Sequence, residues 1–206
     1  IWSQLQHENI IPLLGITTKF DRTVSMVTEW MERGNAHQYV QDIAVDPHPL
    51  LLDIACGMNY LHSHGIAHGD LKGENVLISG GGRALITDFG FSCLLNLPPI
   101  LDVDPPRGGT LWWMAPEKLD TCAITQEADI WAFGMTTLEL FSRRNPFHEV
   151  CTELRIACCI SRGPPIRLSN ESTCYRLCLE WWDMCLECWK QDLSACQTMN
   201  DIVAKV

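Results

Sequence analysis

Basic residues are scarce in this sequence: 15 lysines and arginines stand against 25 aspartates and glutamates, a formal net charge of −10. A surface of that balance is not built to hold nucleic acid or an anionic membrane. Also missing is any apolar run of 18 residues, so no membrane-spanning helix is predicted. No basic-then-apolar leader follows Ile1. A chain that opens mid-pattern is expected to be processed or a fragment, and a fragment is the expectation here. Internal repeats and low-complexity tracts are absent. Between Ser92 and Thr110 there is no serine, threonine or tyrosine.

What is present is ordinary globular material. Across 206 residues, 47% are hydrophobic and 19% charged, enough for a real core in one domain or a tight two-lobed unit. Eleven cysteines, an odd number at irregular spacing, fit reduced thiols in a cytoplasmic setting better than a disulfide framework. Cys185 and Cys188 form a C-x-x-C, but the surrounding LEWWDMCLECW reads as a buried amphipathic helix. No second ligand pair at zinc spacing accompanies them.

Residues 1–7 read as the last turns of a helix, 10–14 as a strand, and 24–28 as a second short apolar run. Residues 49–64 carry Leu52, Ala55, Met58, Leu61 and His62 at helical spacing, which predicts a long helix. Short strands alternating with Gly-rich turns follow as far as Phe89. The Pro-rich stretch 94–109 lacks a period and reads as a long loop that Pro98, Pro99, Pro105 and Pro106 would stiffen. After Thr125 the pattern is helical almost to the end, interrupted by PPIRLS. A few strands first and helices after predict an α+β fold.

Three separated motifs carry chemistry: HGDLKGEN at 68–75, DFG at 88–90 and APE at 115–117. Asp70 and Asn75, five apart on a loop after a helix, offer a carboxylate and an amide oxygen to one small volume, with the cation of Lys72 between them. Asp88, on a turn ending in Gly90, supplies a second carboxylate free to meet hard ions. Such a set suits Mg²⁺ together with phosphate oxygens, because that ion takes few protein ligands and shares those of a substrate. Each motif alone is weak, and a lone DFG is more often a surface turn. The combination is specific: Asp88 follows Asp70 by 18 residues and Ala115 follows Asp88 by 27.

In this order and at these intervals the chain resembles the protein kinase family, and within it the tyrosine-kinase-like serine/threonine branch, from Ile1 to Val206. QLQHENIIPLLG is similar to the end of the family's helix αC and its fourth strand, and MVTEWMERGN to its fifth strand and hinge. The resemblance implies a bilobal α+β fold, with residues 1–31 a remnant of the N-terminal lobe and hinge and 32–206 a mainly helical C-terminal lobe. The family's Gly-rich loop, strand lysine and helix αC glutamate would lie before Ile1. It further implies ATP and Mg²⁺ as cofactors and a protein as substrate, in signal transduction. Asp70 would accept or orient the substrate hydroxyl proton, Lys72 would steady the transferring phosphoryl group, and Asn75 and Asp88 would hold Mg²⁺. Glu29 and Met31 would meet adenine through their backbone, with Thr28 at the back of that pocket and Leu77 beneath the ring. Asp129, in DIWAFGMTTLEL, would anchor the catalytic loop. Lys72 and the run GTLWWMAPE, with Thr110 reaching toward that loop, resemble the serine/threonine class rather than the tyrosine class.

The sequence also departs from the family. The usual H-R-D reads His68-Gly69-Asp70, so the arginine that would pair with a phosphate on the following loop is missing, as are the hydroxyls of that loop. Control by phosphorylation within residues 93–109 is therefore not expected. Cys196 stands where the family places the arginine that pairs with Glu117; a carboxylate left without that cation must find another partner, meet water or be protonated. Two functions follow as expectations. One is an ATP-dependent protein serine/threonine kinase, with the missing N-terminal strands supplied by a longer chain and little activity in these residues alone. The other is a non-catalytic, kinase-like interaction module or truncated gene product.

Overall fold

The computed structural model describes residues 1–19, 23–95, 108–121, 123–190, 192 and 196–206. The expectations for stiffening prolines and for most of the 94–109 loop lie outside the described residues. Among those described, seven α-helices outweigh six short strands, which pair only as three two-stranded antiparallel sheets. This is the α+β arrangement that the element order predicts.

The centre is α4 (Gln126–Ser142), in which every residue from Ala128 to Phe141 is buried. A helix apolar nearly all round has no face to offer water and becomes the axis on which others pack. Two of its four buried polar positions are satisfied locally, with the Thr136 and Thr137 hydroxyls each donating to the carbonyl four residues back at 2.9 Å. Thr125 caps the start through the Ala128 amide, and Arg143 ends the helix in a left-handed conformation. Full burial of side chains such as Phe133, Leu140 and Phe141 stabilises by roughly 1.5–3 kcal/mol each.

Helix α2 (Pro47–Ser63) begins two residues before the expected 49. Asp46 caps it through the His48 amide, and Pro47, with φ preset and no N–H to leave orphaned, occupies the first turn. Ala55, Met58 and Leu61 of the predicted stripe are fully buried, whereas Leu52 is exposed. Helix α2 packs on α7 (Met199–Lys205) and on β5 (Ala84–Ile86).

The first residues differ from the sequence reading. Instead of the last turns of a helix, Trp2–Gln4 form a single 3₁₀ turn, held by the Trp2 indole donating to the Ile11 carbonyl at 2.8 Å. The expected strand at 10–14 is displaced to β1 (Gly15–Thr17), which pairs with β2 (Ser25–Val27). Ile10 and Ile11 are buried and make only an isolated bridge to Ile86, and Pro12 has no amide for a ladder. Strand β3 (Ile66–Ala67) pairs with β6 (Cys93–Leu94), and β4 (Val76–Ile78) with β5. These two hairpin-like pairs hold the segments carrying Asp70 and Asp88 side by side.

Residues 116–121 form a short helix α3 (Pro116–Thr121) that the periodicity did not announce, and α1 (Ala36–Tyr39) is a single capped turn. The later helical region divides into α5 (Glu153–Arg162) and α6 (Leu179–Cys188), with PPIRLS between them. Cys185 and Cys188 are buried on α6, as the reading of that segment as a buried helix requires, and burial pushes the Cys188 thiol up to about 12. No described helix is long and apolar enough to cross a membrane.

Candidate active site

The loop between β3 and β4 is anchored from beneath. Asp129, buried in the first turn of α4, accepts from the His68 amide at 2.7 Å and the Gly69 amide at 2.8 Å, and meets His62 Nε2 at 3.0 Å. Burial alone would raise this carboxyl, but the His62 hydrogen bond, the charges of His62 and His68 and the Gly69 amide together hold it below the usual range. The expected anchoring role of Asp129 is thus visible as bonds. Gly69 sits at φ +85°, where a Cβ would lie 2.8 Å from the Phe91 carbonyl. The Lys118 ammonium donates to the Gly69 carbonyl at 2.6 Å, and the Ser92 hydroxyl to that of His68 at 3.1 Å.

On this base Asp70, Lys72, Asn75 and Thr110 form one bonded cluster. Asp70 is buried, and its Oδ1 accepts from the Thr110 amide at 2.7 Å. Asn75 Nδ2 donates to both the Asp70 carbonyl (2.8 Å) and Asp70 Oδ2 (3.1 Å). Lys72 Nζ stands 3.6 Å from Asp70 Oδ2 and donates to the Thr110 hydroxyl at 2.8 Å. Thr110 therefore reaches the loop, as its place in the GTLWWMAPE run implies.

Asp88 lies beside the cluster because the Thr87 amide donates to the Asn75 carbonyl at 2.9 Å. Its backbone is left-handed at φ 61°, and among the described residues its exposed carboxylate accepts only from the Gly90 amide, at 3.3 Å. The next residue, Phe89, is buried with its ring 5.2 Å from that of Trp2 and 5.4 Å from that of His68. The residues suggested for adenine contact are less concentrated. Leu77 and Met31 are half-buried against the core, and the 31–34 turn runs along β4 through the Ile78 amide bonding to the Gly34 carbonyl at 2.9 Å. Thr28 and Glu29 follow β2 on the surface side and share no hydrogen bond with the Asp70 cluster among the described residues.

The donor set suits the cofactors that the motifs imply. Both Asn75 amide hydrogens are directed at Asp70, which leaves its carbonyl oxygen to an outside partner. That hard oxygen and the exposed Asp88 carboxylate are of the type Mg²⁺ takes.

Sequence reasoning missed the group that ties the cluster to its surroundings. Glu139, fully buried in α4, accepts from the Gly73 amide and the Trp113 indole at 2.9 Å each and meets His37 Nδ1 at 2.7 Å. Trp113 is accordingly buried, with Trp112 only partly covered. A carboxylate inside the otherwise uncharged MTTLELF was the available signal, since such a group must find donors when buried. Of the outcomes open to Glu117, the structure shows access to water: it is half-buried, and no salt bridge to it is formed among the described residues. Cys196 is near it, its thiol raised by burial and then by the charges of Glu127 and Glu117.

Comparison with known proteins agrees with this geometry. A family model described as "Protein tyrosine and serine/threonine kinase" matches residues 1–206. The chain is 30% identical to serine/threonine/tyrosine-protein kinase HT1 of Arabidopsis thaliana, over 98% of this chain and 51% of that protein. It is 31% identical to ephrin type-A receptor 5 of Rattus norvegicus, over 98% of this chain and 20% of the receptor. It is also 33% identical to dual specificity protein kinase zak2 of Dictyostelium discoideum, over 71% of this chain and 27% of that protein. The chain thus spans about half or less of the length of these relatives. With the match covering its whole length, the chain belongs to the protein tyrosine and serine/threonine kinase family.

Proposed function

We propose that this chain contributes the catalytic loop and helical lobe of an ATP-dependent protein serine/threonine kinase of the tyrosine-kinase-like branch. The observation that carries the reading is the bonded cluster of Asp70, Asn75, Lys72 and Thr110. Each Asp70 carboxylate oxygen accepts one protein hydrogen bond and keeps a lone pair, so the group is held in place yet free to accept a substrate hydroxyl proton. Lys72, bonded to Thr110 and close to Asp70, places a positive charge where a transferred phosphoryl oxygen gathers negative charge. Asn75 and Asp88 would hold Mg²⁺, and Thr28, Glu29, Met31 and Leu77 the adenine. When bound, ATP with its Mg²⁺ supplies the phosphoryl group and neutralises its charge. Phosphoryl transfer asks little covalent help of a protein, so positioning carries most of the rate.

The serine/threonine preference draws on the Lys72–Thr110 bond, since the relatives' names include both hydroxyl classes. The decisive assay supplies ATP and Mg²⁺ to the native protein containing these residues and reads phosphate on serine, threonine and tyrosine peptides by mass spectrometry. Transfer to serine or threonine, lost by at least about a thousandfold in Asp70→Asn, is the expected result. Undiminished transfer in that variant removes the role of Asp70. A second reading, a non-catalytic interaction module, draws on Gly69 and on Cys196; it predicts no transfer to any peptide.

A further inference from the structure

A cavity of about 400 Å³ is lined by His37, Trp112, Arg144, Asn145, His148 and Val150. Trp112 stands two residues beyond Thr110, on the turn Leu111–Trp113, so one wall of the cavity continues the segment that touches Asp70. The other walls come from α1 and from the chain after α4. Lys72 and Thr110 are already bonded to one another, and nothing in the proposed phosphoryl transfer uses this second concavity.

Its charge is unusual for a protein of formal net charge −10. Arg144 carries a permanent positive charge and donates to His148 Nε2 at 3.2 Å, which fixes the guanidinium in the wall and leaves that imidazole its Nδ1–H to donate. His37 is bonded to Glu139, and that hydrogen bond, opposed by burial and aided by the charges of Glu139 and Glu74, raises it so that it carries a proton more readily than a free histidine. Glu139 is itself sealed at 0% exposure behind His37, its Oε2 accepting from the Gly73 amide and the Trp113 indole and its Oε1 meeting His37. The carboxylates nearest the cavity are Glu149, 3.9 Å from His148 with its side chain 87% exposed, and Glu74, whose side chain is 57% exposed and which already meets Lys72 at 3.3 Å. Water screens both. What remains lining the space is a guanidinium, imidazole and amide groups, an indole and the Val150 side chain.

We infer that this cavity is a specificity subsite for an anionic side chain, carboxylate or phosphate, lying a few residues from the hydroxyl presented to Asp70. The inference rests on the kinase reading for its substrate, though not for its chemistry. A guanidinium beside neutral donors recognises a planar carboxylate or a phosphate through paired hydrogen bonds, and the indole takes the adjoining methylene groups.

The test uses the native protein and four serine peptides differing only in flanking residues: glutamate, phosphoserine, glutamine or lysine. Affinity is read by fluorescence anisotropy and phosphoryl transfer by mass spectrometry. The glutamate or phosphoserine peptide should bind about tenfold tighter than the glutamine peptide, with the better of the two naming the anion. That preference should weaken with salt. Arg144→Gln should abolish it, and Arg144→Glu should turn it toward the lysine peptide; both replace an exposed side chain, so folding is retained. Equal affinity for all four peptides, or a preference that survives Arg144→Glu, overturns the subsite. An anionic preference in binding without transfer to any peptide supports the subsite and overturns the kinase reading. Transfer without preference does the reverse.

Discussion

Two aspartates in this protein do opposite work, and burial explains why. Asp88 is exposed and holds a single backbone donor, which leaves its charge available. Asp129 is sealed, and its charge is spent on two loop amides and one imidazole. Asp129→Ala would strand the His68 and Gly69 amides in a dry interior and should cost about 3–5 kcal/mol, read as a lower urea midpoint with unchanged slope. Because its carboxyl is held below the ordinary value of 3.8, its contribution is fully present above that pH and is lost as acid protonates the folded form. Asp129→Asn should therefore be less stable than wild type at neutral pH and should lack the loss that wild type shows below that value. The motif letters show where Asp70, Lys72, Asn75 and Asp88 stand, because five and eighteen residues suffice to bring a loop and a turn together. Glu139 and His37 are 102 residues apart, and no local pattern signals their meeting.

Elements here are bounded by single side chains as much as by periodicity. Helix α2 starts where Asp46 and Pro47 allow it, earlier than its apolar stripe suggests. Helix α7 has only seven residues, too short to hold in isolation, and depends on packing against α2 and on a capping box. In that box the Thr198 hydroxyl accepts from the Asp201 amide at 3.2 Å while Asp201 accepts from the Thr198 amide at 2.9 Å. Thr198→Ala should cost about 1 kcal/mol of stability, detectable as a lower thermal midpoint. Strand positions were harder to read than helices. Residues 10–14 have the composition of a strand, yet Ile10 and Ile11 serve as core plugs and pairing begins only at Gly15. A strand is defined by its partner, which a short apolar run does not name.

Over the whole molecule, Glu139 joins α1, the 73–75 turn and the 111–113 turn, so the protonation of its partner is coupled to the frame around Asp70. His37 is raised first by its hydrogen bond to Glu139, against burial. A raised histidine gives stability that is complete below its ordinary value of 6.5 and is lost as pH climbs through the folded value. Thermal midpoints measured from pH 6 to 9, a range that brackets that ordinary value, should decline on the alkaline side, and His37→Gln should flatten that decline. An unchanged profile in His37→Gln would mean that the pair does not couple to folding.

The sequence by itself determined the family, the order of helices after strands, and which charged residues the motifs place on one loop and the following turn, because those rest on contiguous motifs and on the 3.6-residue period. Tertiary structure alone decided which groups support them. Lys118 on the Gly69 carbonyl, Glu139 beneath Gly73 and Trp113, and the cavity between His37 and Arg144 all join residues far apart in the chain. Glu117 makes the same point from the other side: the sequence left a new partner, water or protonation open to it, and its half-buried position in the packed chain answers with water. Burial belongs to the packed chain, and packing sets whether a charge needs a partner or can rely on water.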